Sequence, residues 1–253
     1  MTHPYLAGPH PRAFAHRGWH LDDLTGMENS LSSFRRAARE GYRYVETDVH
    51  ATSDGEVVVH HDRTLDRTTD GEGVVSALPW ARVRDARVGG REPIARLADV
   101  LEELPETFFN IDVKADNAVE PVVTLLRRTG ALHRVCLASF SDHRLARLRR
   151  LGGAGLLTSM GPRSAGALWA ARRVPFAGLA VRGQVAQVPR SQGRLTVVDR
   201  RFVAAAHKRA LEVHVWTIDD EADMRALLDL GVDGLVTDRP DVLRDVLRSR
   251  GDW

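Results

Sequence analysis

The sequence predicts a single (β/α)8 barrel with a short insertion after its second strand, and three observations predict it. Eight short apolar, β-branched runs alternate with eight amphipathic stretches over 253 residues. Such alternation implies parallel strands joined by right-handed crossovers, and eight units in this length favour closure over an open doubly wound sheet. Four amphipathic stretches reach a glycine (Gly41, Gly130, Gly152, Gly231) where a helix C-cap favours left-handed backbone. Polar residues gather near the C-terminal ends of several runs, the end at which barrel enzymes place their sites.

The elements follow in order. Ala13–Arg17 carries His16 near its end and leads to a helix over Ser30–Glu40, opened by a serine suited to capping. Tyr44–Ala51 places Glu46 and Asp48 two residues apart, hence on one face of a strand. The segment from Glu56 to Pro93 then breaks the rhythm, with a hairpin at Glu56–Val59 and a Gly- and Arg-rich stretch without period. An excursion of that length after a barrel strand shapes the mouth of a site. A helix over Leu97–Leu104 precedes Phe108–Lys114, where Asp112 and Lys114 share a face. Next come helix Ala118–Thr129, strand Val135–Phe140, helix His143–Leu151, strand Gly155–Met160 and helix Ser164–Arg173. The sixth strand is expected at Gly178–Arg182, followed by a polar loop over Val185–Thr196 and a helix over Asp199–Arg209. Glu212–Ile218, with His214 and Trp216 on one face, helix Glu221–Leu230, strand Gly234–Thr237 and helix Val242–Arg248 close one domain spanning 1–253.

Composition narrows the function classes. The 36 basic and 34 acidic residues are interspersed, with no basic run interleaved with aromatics, which argues against nucleic acid as partner. No apolar run is long enough to cross a bilayer, and Met1–Arg12 lacks the apolar core of a secretory signal. The single cysteine, Cys136, suits a reducing compartment, so the cytoplasm is expected; its apolar strand makes it a small buried hydrophobe. Lys114 is one of two lysines in an arginine-rich chain.

An isolated Glu-x-Asp on a strand more often faces solvent than a metal, and a lone histidine near a turn is more often packed or at the surface. His3, His10, His20, His50 and His60 are expected to belong to that class, and Trp216 alone would read as core. The coincidence is what carries weight: Glu46 and Asp48 on strand two, Asp112 and Lys114 on strand three, beside the strand bearing His16. Three acids in one barrel mouth are costly to bury without counter-charge, which a divalent cation supplies. Carboxylates are hard oxygen donors suited to Mg²⁺ or Ca²⁺, and no Cys/His cluster suggests zinc.

The motifs are those of a known family. The chain resembles the glycerophosphodiester phosphodiesterases over nearly its whole length: His16-Arg-Gly18, Glu28-Asn-Ser-Leu31 with Phe34, Glu46-Thr-Asp-Val49 and Thr52-Ser-Asp-Gly55. Then follow His61-Asp-Arg-Thr-Leu-Asp-Arg-Thr-Thr69 with Gly71, Asn110-Ile-Asp-Val-Lys114, Trp216-Thr217, Gly231-Val-Asp-Gly234 and Thr237-Asp-Arg-Pro240. The triplet alone is weak; these blocks in this order are specific.

The resemblance implies a hydrolase of lipid and glycerol metabolism that cleaves glycerophosphodiesters to sn-glycerol 3-phosphate and an alcohol. It implies His16 and His61 as general acid and base, and Glu46, Asp48 and Asp112 as ligands of one divalent cation. Asp112 is one methylene shorter than the family's usual glutamate. Arg17 and Lys114 match positions facing the phosphate, and Trp216 an aromatic at the substrate pocket. By analogy with related barrel phospholipases, His16 is assigned as base and His61 as leaving-group acid. The nucleophile is either water or a substrate hydroxyl that forms a cyclic phosphate. A lysophospholipase D or sphingomyelinase D-like enzyme keeps the same site but wants an apolar rim or a membrane-facing helix. In the insertion Leu78-Pro-Trp80, Val83 and Val88 are apolar yet form no docking helix, so no stable membrane insertion is expected. A non-catalytic phosphoester-binding barrel would have lost an acid or a histidine, and this chain keeps them all.

Overall fold

The computed structural model describes residues 3–172 and 181–253. Eight parallel strands form the barrel: Arg12–His16, Tyr44–Ala51, Phe108–Val113, Val135–Ala138, Leu157–Thr158, Val185–Pro189, Glu212–Trp216 and Gly234–Thr237. Their hydrogen-bonded order runs five, four, three, two, one, eight, seven, six. A single bridge between Ser159 and Val185 nearly closes the remaining seam, with Met160 donating its backbone N–H to the Val185 carbonyl at 2.8 Å. Register stacks the polar residues in layers. His16 lies beside Glu46, Glu46 beside Asn110, and Asp48 beside Asp112.

Three apolar regions hold this frame. The largest lies between the strands and the outer helices. There Phe34 on helix Leu31–Arg39 is fully buried and meets Phe109 of the third strand edge-on at 6.1 Å. Truncating such a phenylalanine costs about 3–5 kcal/mol. The barrel interior is plugged from below by Tyr5, Phe14, Tyr44, Cys136 and Val236, so it is a core and not a pore. A buried ion pair also lies there: Arg12 donates to both carboxylate oxygens of Glu212 at 2.7 Å.

The insertion is ordered by a core of its own. Val57–Val59 pairs antiparallel with the second barrel strand. Leu65, Val75, Val83, Val88 and Ile94 pack together with Val58 and Met27. Tertiary burial, not local period, holds this stretch, which is why its sequence shows no rhythm.

Two expectations need correction. The sixth strand is Val185–Pro189, inside the segment expected as a polar loop. The run Gly178–Arg182 lies outside the described residues but for Val181 and Arg182, which form no strand. Gln187 and Pro189 gave this strand a loop-like composition. Gln187 in fact turns into the barrel mouth, donating to Asn110 Oδ1 at 2.8 Å, and Pro189 stands at the strand's end. The rest of the expected loop carries a small hairpin, Ser191–Gln192 with Leu195–Thr196. In helix Asp142–Gly152, Gly152 is the last helical residue and Gly153 takes the positive φ, at 70°.

Candidate active site

The His-Arg-Gly triplet ends the first strand in a tight turn. Arg17 has φ 54° and Gly18 φ 88°; a Cβ on Gly18 would sit 2.3 Å from Ser33 Oγ, so only glycine fits against the first helix. The strained turn sends the Arg17 side chain back over the barrel mouth. It pairs with Glu28 at 2.9 Å and reaches Asp48 Oδ2 at 3.3 Å.

The three predicted acids are brought together beneath it, all at most 7% exposed. Lys114 Nζ lies 2.8 Å from both Asp48 Oδ1 and Asp112 Oδ2. Asn29, another left-handed residue at φ 58°, donates its amide to Asp48 at 2.9 Å and accepts from Thr47 Oγ1 at 2.7 Å. Burial opposes ionisation of Asp48, but Lys114, Arg17 and Asn29 outweigh it and hold its carboxyl below the usual range. Glu46 is the opposite case. Burial, with Asp48 close by, pushes its carboxyl up to about 8. Asp112 is also raised, chiefly by burial and against the pull of Lys114.

Two carboxylate oxygens, Glu46 Oε2 and Asp112 Oδ1, are buried without a hydrogen-bond partner. Such atoms are costly unless something positive meets them. Among the described residues, no three acid, His or Cys groups are gathered into a cation cage, and Lys114 pairs with two of the three acids. The chemistry of the donor set nevertheless fits a hard divalent cation, since the residues are carboxylates and two of their buried oxygens have no hydrogen-bond partner.

Both predicted histidines line the same cavity of about 200 Å³, together with Arg17, Glu46, Lys114 and Trp216. Each has an acid behind it that sequence reasoning did not single out. His16 Nδ1 lies 2.7 Å from Asp238 Oδ1 and its Nε2 lies 3.6 Å from Glu46. Burial lowers the His16 imidazole, but Glu46 and Asp238 outweigh it and leave it raised. His61 Nδ1 meets Asp62, whose other oxygen accepts from Arg67; Arg67 in turn pairs with Glu28. A chain of charge thus runs from His61 through Asp62, Arg67 and Glu28 to Arg17. Asp62 and Asp238 do stand in the motifs His61-Asp and Thr237-Asp-Arg-Pro, and that adjacency was the available signal.

Two of the histidines expected to be packed or surface residues sit close to the predicted pair. His20 Nε2 shares Asp238 with His16, at 3.3 Å. His50 packs beside His60 and reaches the His61 carbonyl at 3.2 Å. Trp216 is half-buried at the rim, edge-on to Phe140 at 5.5 Å.

A model of the glycerophosphoryl diester phosphodiesterase family matches residues 16–242. The chain belongs to that family. It is a phosphoric diester hydrolase of the glycerophosphodiester phosphodiesterase type. It is 40% identical over 245 residues to a Mycobacterium tuberculosis protein named "probable glycerophosphodiester phosphodiesterase 2", covering 95% of this chain and 92% of that one. Among solved structures it resembles the Agrobacterium tumefaciens glycerophosphodiester phosphodiesterase, with a TM-score of 0.76 at 26% identity, covering 94% and 99% of the two chains. A phosphodiesterase from Oleispira antarctica, solved in complex with the product sn-glycerol-3-phosphate, shares the fold, with a TM-score of 0.77 at 23% identity over 94% and 97%. No helix among the described residues is long and apolar enough to cross a membrane.

Proposed function

We propose that this family member hydrolyses glycerophosphodiesters to sn-glycerol 3-phosphate and an alcohol, using His16 and His61 as its proton-transfer pair and one divalent cation. One observation carries the reading: a single cavity gathers two acid-backed histidines, two phosphate-matching cations and two unsatisfied carboxylate oxygens. The size of that cavity suits a glycerophosphoryl group, and the product bound to the Oleispira antarctica relative is of that class.

The residues divide the work. Arg17 offers donors in a fork and Lys114 a point charge, so both draw the phosphate into the mouth and stabilise charge as it builds on the phosphoryl oxygens. Asp238 accepts from His16 Nδ1, leaving Nε2 as the free basic nitrogen facing the cavity. Asp62 fixes the ring of His61 in the same way, and Arg67 fixes Asp62. The two rings are held alike; by analogy with related barrel phospholipases, His16 is assigned as base toward the attacking hydroxyl and His61, in its protonated form, as donor to the leaving oxygen. Glu46, Asp48 and Asp112 would hold Mg²⁺ or Ca²⁺, which supplies Lewis-acid polarisation of a phosphoryl oxygen when bound. Asp112, though shorter than glutamate, keeps one buried oxygen without a hydrogen-bond partner. The single buried cysteine and a small polar substrate suit the cytoplasm.

The test is an assay of the purified chain with glycerophosphocholine and glycerophosphoethanolamine, with Mg²⁺, Ca²⁺ or chelator. Release of sn-glycerol 3-phosphate that stops with chelator and returns with a divalent ion is expected. Turnover undiminished in chelator would overturn the metal assignment, and no turnover of either compound would overturn the substrate.

A further inference from the structure

His61 stands outside the barrel strands. It lies on the turn that follows Val57–Val59, inside the insertion, and its side chain is 33% exposed. A proton donor must nevertheless keep its place closely, because a displacement of about 1 Å at a reacting centre costs about 10²-fold in rate. Two buried imidazoles tie this turn to the barrel. His50, 5% exposed, follows Glu46 and Asp48 at two-residue spacing on the second strand, and its Nε2 lies 3.2 Å from the His61 carbonyl. His60, 3% exposed, donates its backbone N–H to the Asp48 carbonyl at 3.0 Å, and its Nε2 lies 2.8 Å from the Thr64 carbonyl. A carbonyl only accepts, so each ring carries a proton on Nε2 and donates it. Pairing of Val57–Val59 with the second strand ends at Val59, opposite Val49. The His50 side chain thus reaches past the end of the ladder to hold the first turn beyond it.

We propose that His50 is a positioning residue for the reaction: its bond to the His61 carbonyl fixes the proton donor to the strand that carries Glu46 and Asp48. The proposal rests on the reading of His61 as leaving-group acid. In that step the attacking oxygen bonds to phosphorus and gives its proton to His16. The phosphorus–oxygen bond to the alcohol breaks, and its electron pair stays on the leaving oxygen, which takes a proton from His61 Nε2. His50 does not line the catalytic cavity, so it acts through the backbone of His61. Without its donor a carbonyl is left unpaired and the His61 ring drifts from the leaving oxygen. Arg17, Lys114 and the acids have their own partners, so the loss falls on proton transfer and not on phosphate binding.

The test compares two esters of the same glycerophosphoryl group in cation-supplemented enzyme. Glycerophosphocholine has an alkoxide that needs a proton to leave, whereas the phenolate of glycerophospho-p-nitrophenol leaves without one. His50→Leu should lower kcat for glycerophosphocholine about 10- to 10²-fold. KM and calorimetric cation affinity should change little, and the p-nitrophenyl ester should lose much less. His50→Gln sets an amide donor the same number of bonds from the backbone and should recover most of the lost glycerophosphocholine rate. His61→Ala gives the full leaving-group contrast. If it slows both esters alike, the acid reading fails and the proposal with it. If it shows the contrast but His50→Leu slows both esters alike, or acts only through cation affinity, His50 is a packing residue. The proposal is then overturned while the acid reading stands. Should the leucine variant not fold, His50→Asn, polar but a methylene shorter than glutamine, gives up the same bond and is measured in its place.

Discussion

Asp238→Asn tests the histidine assignment most directly, because it changes one atom behind the reacting ring. The carboxylate of Asp238 accepts from His16 Nδ1 at 2.7 Å and from His20 at 3.3 Å. It lies well below the ordinary aspartate range despite burial, held there by those two rings. An asparagine amide can present a donor to Nδ1 in its place, which turns the neutral ring to the tautomer with its proton on the cavity side. In a comparable Asp–His arrangement the wrong tautomer costs about 10⁴ in rate. Here the Asp238 side chain is 39% exposed, and water can replace part of the lost interaction. We expect kcat to fall about 10²-fold, or about 2.7 kcal/mol of barrier, with KM changed only a few-fold. The pH profile separates positioning from mere damage. Asp238 helps to raise His16, and a base is lost as pH falls through its pKa. Removing the carboxylate should move the acidic limb of kcat/KM to lower pH. The assay is glycerophosphocholine turnover across pH in matched cation, with melting temperature as a check on folding. A fully folded variant with wild-type kcat and an unmoved acidic limb would refute the role of His16 as base.

Glu46→Ala should abolish both turnover and calorimetrically detected binding of Mg²⁺ or Ca²⁺, while Asp112→Glu should keep both; an inactive Asp112→Glu would show that the shorter acid matters to the geometry. His61→Ala should lower kcat by about 10²–10³ with little change in KM, and a pure KM effect would count against its acid role. At the barrel bottom, burial opposes the charge on Glu212, but Arg12 and His214 hold it well below the usual range. A depressed carboxyl stabilises the fold above its unfolded pKa of about 4.3 and loses that contribution as pH falls below it. The melting temperature of the wild-type should therefore drop below about pH 4.3. Glu212→Gln, which strands a fully buried guanidinium, should cost about 3–5 kcal/mol at neutral pH and respond less to acid.

Much of this was legible because period and burial agree. The second strand is buried along all eight residues, and its Glu46–Asp48 spacing put both acids on the lumen face without knowledge of the fold. The sixth strand was illegible for the converse reason. In Val185-Ala-Gln-Val-Pro189 the lumen-facing position is taken by a polar residue that bonds Asn110 across the mouth, so functional polarity erased the apolar signal. The acid partners were hidden differently. Asp238 and His16 stand 222 positions apart, and only closure of the first strand onto the eighth, with Ala15 beside Thr237, brings them within reach.

The division of charge among the acids gives each a distinct part in the proposed site. Asp48 is surrounded by Arg17, Lys114 and Asn29, so its charge is already balanced within the protein. Glu46 has no such partner: its nearest cationic group is the His16 ring at 3.6 Å, and one of its oxygens is orphaned. Burial therefore drives it toward the neutral form unless positive charge arrives from outside. Asp48 thus reads as the anchor that fixes Lys114 and Arg17 in place, and Glu46 as the acid kept in reserve for a ligand. Losing Asp48 should cost stability as well as activity, because two cations lose their common partner. Losing Glu46 removes a buried acid that the bare fold leaves unpaired, so Glu46→Ala should abolish turnover while sparing the melting temperature. If Glu46→Ala instead unfolds the protein while Asp48→Ala leaves its melting temperature unchanged, the two roles are reversed.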